Sequence, residues 1–509
     1  MKWHSLLTTA VAVAAAFVAP PAAAQKAADT LRAMWLDPVV NIDPYYNNQR
    51  TGLILAHHIF DGLVFRDPDG FTMKPLLAES WRWVDDTTLE FKLRQNATHH
   101  NGDKFTADDV MYTIGIITDP ASGISVPSNF APWLAGAEKV DAYTVRLKLK
   151  QAFPAALEYV SFVMPIYPKA YRERVGRDIY NKEPVGSGPY RVVKWEAGQA
   201  VEMERHEGYY EGGGKGKPAI KKLVVRQVTD ANLLTNSLIG NQVDWIWQYP
   251  ADLVEKIAAL PNAATLTQEA FRVAHLSLDA AGRSDPKGPL TNVLVRRAIW
   301  HAIDRASFTK NLIRFGSRVP DAPCYFTQFG CDPAAAVKYE YDPAKSRALL
   351  AEAGYKDGFD IELVNPGMLP SWIGAIQADL GKVGIRAKVS TMTGVAATTR
   401  IQKGDVPMYL SSWGSYSIND VSAIMPYFFS KTVDDLARDD ELTAALRAGG
   451  TVVDPEARKK AYAKAIHIIT DKAYWLPIGT YVTVYGLSKQ LDFKAYPDEM
   501  PRFFWAKWK

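Results

Sequence analysis

Segments with strand-like and helix-like patterns alternate through most of this 509-residue chain, and that alternation limits its fold more than any other feature. Apolar residues at every second position from Leu89 to Leu93 predict a half-buried strand. Thr106 then stands where its side chain can cap a helix that begins at Ala107. Repetition of this order predicts an α/β protein rather than an all-helical or all-β one.

The second half of the chain carries the clearest βαβ pattern. DIELVNPG and GIRAKVSTMT predict strands on either side of a helix in SWIGAIQADLGKVG. A similar strand–helix–strand order recurs in residues 221–247, and VRRAIWHAIDRASFTKNLI has helical spacing from Val295 to Leu312. At this length two or more domains are expected, and we predict two α/β lobes.

The N-terminus has the three parts of a secretory signal peptide. Lys2 supplies the positive charge, residues 6–18 the apolar segment, and residues 22–24 the small side chains that precede a cleavage site. A membrane anchor is the alternative, but the apolar run is short and Pro20-Pro21 interrupts it. We predict a signal peptide over residues 1–24 and a periplasmic location for the rest of the chain.

The two cysteines, Cys324 and Cys331, lie close together in PCYFTQFGCDP. An oxidising compartment favours a disulfide between them, which would stabilise the fold by roughly 2–3 kcal/mol. Two cysteines without a neighbouring histidine make a poor metal site. The formal net charge is only +4 and no long basic run occurs, so nucleic acid is not expected as a partner.

Metal binding and catalysis receive little support from the other polar residues. Five of them form an apparent metal cluster in sequence, but two of the acids fall in a first helical turn, where they favour the helix dipole: His99, His100, Asp103, Asp108 and Asp109. Gly186-Ser187-Gly188 lacks the GxSxG pattern of a nucleophile turn and is better explained as turn geometry. We predict no metal, no cofactor and no enzyme activity.

Six segments, taken in order, resemble the family 5 extracellular solute-binding proteins, the dipeptide- and oligopeptide-binding group of ABC importers. The resemblance covers nearly all of the chain after the predicted signal peptide. The segments are IDPYYNN, HIFDGLVFRDPDG, MKPLLAESWRWVDDTTLEFKLRQNATHHNGDKFTADDVMYTI, PVGSGPYRVVKW, VRRAIWHAIDRASF and YDPAKSRALLAEAGY.

This resemblance implies an α/β, two-lobed periplasmic-binding-protein clamp of type II, the large peptide-binding class. Two crossover segments would join the lobes, and hinge closure would enclose the ligand. The implied first lobe comprises residues 25–60, 186–273 and 486–509, and the second comprises residues 274–485. Residues 61–185 would form an extra subdomain of the first lobe.

The implied function is capture of a peptide or peptide-like solute and its delivery to the permease subunits of an ABC importer, by a protein that acts as a monomer. A non-peptide solute, such as an opine, a nickel chelate or an oligosaccharide, is the alternative within the same fold. A chemoreceptor or chaperone role is compatible with the scaffold, and a periplasmic hydrolase is the alternative of a different class.

The segment LSSWGSYSINDVSA, residues 410–423, is the main candidate for a ligand wall. In peptide-binding relatives a Trp matching Trp413 is followed three residues later by an Asp that accepts the ammonium of the peptide. Here that position is Tyr416, although a buried ammonium without a partner costs several kcal/mol. Either Asp420 or Asp279 replaces the missing acid, or the ligand has no conventional N-terminus; packing of the lobe is the alternative role of the aromatic pair.

Trp247 is the second candidate wall, on the first lobe. Tyr45 and Tyr481 are weaker candidates, for which packing in the core is the competing explanation. The complete predicted ligand-binding set is Trp413, Gly414, Ser415, Tyr416, Asn419, Asp420, Trp247, Asp279, Tyr45 and Tyr481.

Overall fold

The computed structural model describes residues 29–47 and 49–509. The predicted signal peptide, residues 1–24, lies outside the described residues. Within them, none of the helices combines the length and the apolar character needed to cross a membrane.

The described chain contains 18 strands and 14 α-helices. The strands are β1 (Thr30–Trp35), β2 (Val64–Arg66), β3 (Met73–Pro75), β4 (Ala78–Asp85), β5 (Thr88–Leu93), β6 (Leu134–Asp141), β7 (Thr144–Leu149), β8 (Tyr190–Glu196), β9 (Ala200–Arg205), β10 (Lys222–Gln227), β11 (Trp245–Trp247), β12 (Ala263–Leu278), β13 (Phe359–Asn365), β14 (Ile385–Thr391), β15 (Met408–Trp413), β16 (Trp475–Ser488), β17 (Leu491–Asp492) and β18 (Lys507–Trp508). The helices are α1 (Arg50–Ile59), α2 (Ala107–Thr118), α3 (Ala156–Phe162), α4 (Lys169–Lys182), α5 (Ala231–Ile239), α6 (Val254–Ala258), α7 (Val293–Ala302), α8 (Arg305–Phe308), α9 (Pro343–Glu352), α10 (Pro370–Gly381), α11 (Gly394–Lys403), α12 (Met425–Phe429), α13 (Asp440–Thr451) and α14 (Pro455–Asp471).

Ten strands form one continuous sheet in the order β14-β13-β15-β12-β16-β11-β1-β10-β9-β8. The predicted βαβ unit is present, since β13 and β14 are parallel and α10 connects them. The similar pattern in residues 221–247 forms β10, α5 and β11, and both of these strands lie parallel to β1. The sheet is therefore mixed: two parallel groups are separated by antiparallel pairs in the middle, and the β10-β9-β8 edge is also antiparallel.

The two longest strands, β12 and β16, pair antiparallel and run from one lobe to the other. Leu266 on β12 packs on an apolar core formed mainly by residues 31–225, whereas Ala274, farther along the same strand, belongs to a second core within residues 274–482. On β16 the same change separates Val482 from Tyr485. We call these two bodies the first and second lobes; their exact boundaries stay predictions.

Pairing between the two crossover strands is irregular where the cores change. The register shifts between Glu269 and Val273 of β12, opposite the segment of β16 between Thr480 and Val482. A locally disrupted ladder bends more easily than a regular one. This point on the paired strands is the natural position for a hinge.

A separate four-stranded sheet, in the order β4-β5-β7-β6, lies within the predicted extra subdomain. The predicted cap of α2 is present: Thr106 Oγ1 accepts from the backbone N–H of Asp108 at 3.3 Å, and Asp109 Oδ2 accepts from the N–H of Thr106 at 2.8 Å. Among the described residues, no group of three or more His, Cys, Asp or Glu side chains is placed to hold a metal ion.

Two local features complete this description. The helix expected from Val295 to Leu312 breaks at Ile303, whose extended backbone ends α7, because Asp304 caps the separate helix α8 by accepting from Ser307 N–H at 2.8 Å. Cys324 and Cys331 form the predicted disulfide, with their Cα atoms 5.8 Å apart.

Candidate ligand-binding site

A cavity of about 240 Å³ lies between the lobes, slightly smaller than the roughly 300–1,000 Å³ of typical small-molecule sites. Helix α1 and the loop before it line one side, residues between 126 and 165 line a second, and the end of β15 lines the third. The lining residues are Pro44, Asn47, Gln49, Arg50, Leu53, Val126, Asn129, Val163, Pro165, Arg272, Trp413, Gly414 and Tyr416.

Trp413 and Tyr416 form the aromatic side of this cavity. The ring of Trp413 stacks on Tyr427 with centroids 4.5 Å apart and meets the edge of Tyr416 at 5.0 Å. Its indole N–H donates to the carbonyl oxygen of Ala423 at 3.4 Å. Trp413 is therefore fixed by contacts within its own lobe and also lines the cavity.

The turn after Trp413 has an unusual backbone. Ser415, Tyr416 and Ser417 all adopt positive φ angles, of 51°, 48° and 63°. For residues with a Cβ this left-handed conformation costs about 1–2 kcal/mol per residue. Contacts elsewhere must hold such a turn in place, and the conformation directs Tyr416 into the cavity.

Those contacts come from the first lobe and the C-terminal segment. The hydroxyl of Ser417 donates to the carbonyl oxygen of Asp498 at 2.5 Å, and Arg50 donates to the same hydroxyl. Asn419 N–H donates to Glu158 Oε2 of α3 at 3.1 Å, and Ile418 is part of the first lobe's core. The loop of the second lobe is thus docked on the first, and the molecule is closed.

Two arginines share one carboxylate at the top of the cavity. Glu499 lies 3.1 Å from Arg272 Nε and 3.4 Å from Arg50 Nη2, and its side chain is almost completely buried. Burial alone would raise the pKa of Glu499, but the guanidinium groups of Arg272 and Arg50 hold it below its ordinary value. Glu499 is therefore an anion that bridges α1 and the hinge region.

Gly414 lies directly against this ion-pair group. A Cβ atom at Gly414 would stand 3.0 Å from Arg50 Nη2, 3.0 Å from Glu499 Oε2 and 3.3 Å from Arg272 Nη2. These distances are shorter than most real Cβ contacts. Glycine at this position lets the end of β15 approach the charged group closely.

Three of the predicted site residues, Trp413, Gly414 and Tyr416, are brought together in the cavity lining. Two more predicted residues, Ser415 and Asn419, belong to the same loop but do not line the cavity. Ser415 is fully buried, and Asn419 connects the loop to Glu158.

The three predicted aromatic residues outside this loop do not line the cavity. Trp247 packs in the first lobe's core against Tyr485. Tyr45 is buried behind the wall and donates its hydroxyl to Pro165 O at 2.6 Å. Tyr481 lies beneath Arg272, whose guanidinium carbon is 5.7 Å from the ring centroid.

Neither acid considered as an ammonium partner faces the cavity. Asp279 directly follows the last residue of β12, where its carboxylate accepts from the N–H groups of Arg283 and Ser284 at 3.0 and 2.7 Å. Asp420 pairs with Arg458 at 2.9 Å inside the second lobe. Both carboxylates have partners within their own lobe, and neither lines the cavity.

The two charged lining residues, Arg50 and Arg272, and their partner Glu499 were not predicted from the sequence. Arg272 had a detectable signal, because it is a cation next to the apolar, strand-forming run VAHLSL. Arg50 opens an amphipathic helix, a place where arginine is common and indicates nothing. Glu499 gave no signal, since it lies in an irregular segment far along the chain.

The sequence is similar to a known protein family. The family described as "Bacterial extracellular solute-binding proteins, family 5 Middle" matches residues 72–435. A glutathione-binding protein, GsiB of Salmonella paratyphi A, is 27% identical over 519 residues, which cover 98% of this chain and 96% of that protein.

Two solved structures share the fold at low sequence identity. The periplasmic binding protein DppA of Helicobacter pylori, in complex with the peptide STSA, has a TM-score of 0.80 at 22% identity and covers 94% of this chain and 98% of its own. MoaA of A. tumefaciens R10, in complex with mannopinic acid, has a TM-score of 0.80 at 23% identity and covers 95% of this chain and 100% of its own.

Proposed function

Since the chain belongs to the family 5 bacterial extracellular solute-binding proteins, we propose that its interlobe cavity captures a small peptide or peptide-like solute for delivery to an ABC importer. The two-lobed clamp is the architecture of such proteins, and the lobes would close by bending at the irregular pairing of β12 and β16. We propose further that the protein acts as a monomer in the periplasm after removal of residues 1–24.

One observation carries this proposal: the loop from Gly414 to Asn419 is docked on the first lobe above a lined cavity. The aromatic rings of Trp413 and Tyr416 would enclose the solute, and the guanidinium groups of Arg50 and Arg272 would bind its polar end. A glutathione-binding relative and a peptide-bound structure of the same fold support a peptide-like solute.

A non-peptide solute of opine type is the second candidate. It is favoured by the lining itself, because Tyr416 stands where peptide-binding relatives place an acid, and none of the described lining residues is an acid. MoaA, which has the same fold, is bound to mannopinic acid.

A thermal-shift screen against dipeptides, tripeptides, opines, nickel chelates and oligosaccharides tests the proposal. A solute present at 100 times its Kd should raise the free energy of unfolding by about 2.7 kcal/mol. Failure of every class to shift the melting temperature of protein freed of solute would contradict it.

Gly414→Ala provides the matched structural test. The added methyl group would push apart the guanidinium groups of Arg50 and Arg272 and should weaken binding of the best solute at least tenfold. Gly374→Ala is the control, because that exposed helical position has nothing within 4 Å of an added Cβ. Equal solute affinity of the two variants would show that Gly414 and the charged residues beside it do not contribute to binding.

A further inference from the structure

We propose that the solute carries a carboxylate bound between Arg50 and Arg272, and that it has no free ammonium group at the Tyr416 side of the cavity. This inference rests on the proposed function and narrows it to one charge class. It is argued from the charges that surround the cavity.

The cavity wall has more positive than negative charge. Arg50 and Arg272 both line it, and Glu499, the carboxylate that pairs with both, is itself not a lining residue. Asp498, which directly precedes Glu499 in the chain, is already paired with Arg502 at 2.7 Å. The guanidinium groups of Arg50 and Arg272 therefore share one carboxylate, that of Glu499, beside the cavity.

The remaining nearby charges do not correct this imbalance. Asp498 also pairs with Arg66 at 3.2 Å, and Arg66 pairs with Glu158 at 2.7 Å. Asp37 lies near enough to act electrostatically on Arg272, but it does not line the cavity. Each of these acids stands behind the wall, so the arginines present their positive charge to the solute.

Both arginines are largely removed from water. Their side chains are 12% exposed for Arg50 and 24% exposed for Arg272. Burial lowers the pKa of Arg50 and the charge of Arg272 lowers it further, although Glu499 and Asp498 oppose both effects. The pKa of Arg272 is also lowered by burial, but its pairing with Glu499 raises that pKa above its ordinary value. A second carboxylate at this place would relieve the repulsion and form charge-assisted hydrogen bonds, which are about twice as strong as neutral ones.

An ammonium group would have no equivalent partner. The polar lining residues other than the arginines are amides and a phenol, namely Asn47, Gln49, Asn129 and Tyr416. A buried ammonium beside two guanidinium groups would be repelled and only partly hydrogen-bonded, at a cost of several kcal/mol. The wall therefore selects for acids whose nitrogen is blocked or absent.

Calorimetry with three charge forms of one dipeptide tests this selection. The probes are N-acetyl-Ala-Phe with a free carboxylate, the neutral N-acetyl-Ala-Phe amide, and the cationic Ala-Phe amide. We expect the acid to bind at least tenfold more tightly than the neutral form, and the cation to bind most weakly. Equal affinities, a preference for the cation, or no binding of the acid would overturn the inference.

Variants show whether the two arginines cause the preference. Arg272→Gln should weaken binding of the acid at least tenfold while changing affinity for the neutral amide much less, and Glu499→Gln should strengthen binding of the acid. Arg191→Gln, at a half-exposed position on β8, is the matched control. An unchanged ratio of acid to amide affinity in Arg272→Gln would also overturn the assignment.

Failure of this inference and failure of the clamp function are separable. Solute released by denaturing the natively exported protein can be added back to emptied protein and followed by solution scattering. If the released solute closes the lobes but the three dipeptide forms bind with equal affinity, only the inference about charge is contradicted. If it produces no closure, the proposed function falls as well.

Discussion

Trp413 and Tyr416 are neighbours in the cavity wall but depend on different contacts. Trp413 stacks within the second lobe on Tyr427 and also meets Phe428, so its packing persists when the lobes separate. Tyr416 meets Trp413 within its own lobe, but it also packs against the first lobe's core, and those contacts exist only in the closed molecule. Substitutions at the two positions should therefore have different effects on protein stability and on solute affinity.

We expect Trp413→Ala to weaken solute binding by about 2–4 kcal/mol and also to lower the melting temperature, because a buried anchor and a stacked ring are both lost. Tyr416→Ala should weaken binding with a much smaller effect on unfolding of the solute-free protein. Calorimetry and thermal unfolding of both variants measure the two effects. Normal affinity in Trp413→Ala together with a large loss of stability would mean that this ring only packs the lobe.

Two histidines, the buried His58 and the half-buried His100, make stability sensitive to pH. His58 accepts from the N–H of Phe503 at 3.1 Å and lies 2.7 Å from Ile54 O, while His100 accepts from Gly186 N–H at 3.1 Å. These networks assign neutral rings, and burial lowers the pKa of each histidine to about 3. The unfolded chain would bind protons that these folded rings do not accept.

Their contribution to stability is complete above pH 6.5 and is lost as the pH falls from 6.5 toward 3. When the pH falls from 7 to 5, each histidine should lower the free energy of unfolding by about 2 kcal/mol. Urea unfolding at both pH values, compared with His100→Gln, measures the share of one ring. The same pH dependence in the variant and the original protein would contradict the assignment for His100.

At the scale of elements, the disulfide loop supports the ligand wall from behind. Gln328 Nε2 donates to Ile418 O at 3.0 Å, and Phe329 N–H donates to Asn419 O at 3.0 Å. Val421 N–H donates back to Phe329 O at 3.1 Å. The loop closed by the disulfide therefore holds the segment that docks on the first lobe.

Replacing Cys324 and Cys331 together by alanine should lower the free energy of unfolding by roughly 2–3 kcal/mol, because the unfolded chain gains loop entropy. Solute affinity should fall several-fold, since the docked segment loses its support. Reduction of the original protein with dithiothreitol is the control and should reproduce both losses. Two free thiols in the exported protein, found by peptide mapping, would exclude this role.

At the scale of the whole molecule, the hinge and the docked loop act together. The two lobes are connected by the paired strands β12 and β16, whose register is irregular at the change of cores. Across the cleft, Glu158 accepts from the backbone of Asn419 at 3.1 Å. Opening would break this contact and withdraw Ile418 from the first lobe's core.

Saturating solute should therefore reduce the radius of gyration in solution scattering. Glu158→Gln should show less closure at the same fractional saturation, because the neutral amide is a weaker acceptor than the carboxylate. Glu138→Gln, on the exposed side of the extra subdomain, is the control. Identical scattering curves with and without a solute proven to bind would contradict hinge closure.

The sequence alone determined the features that depend on a few neighbouring residues. Strand alternation from Leu89 to Leu93, the cap at Thr106 and the βαβ unit follow from local backbone and side-chain preferences, and the structure confirms them. The break at Ile303 was missed because helical spacing continues through it, and only the cap of the next helix reveals the stop.

The charge of the cavity was decided by tertiary structure. Arg272 and Glu499 are 227 positions apart, and Arg50 is 449 positions from the same carboxylate. No local pattern connects residues at such distances, since their meeting depends on the paths of both crossover strands and of the C-terminal segment. Sequence identified Trp413 as a candidate, whereas the pairing of β12 with β15 places Arg272 near it and contact between the lobes brings Arg50 to the same cavity.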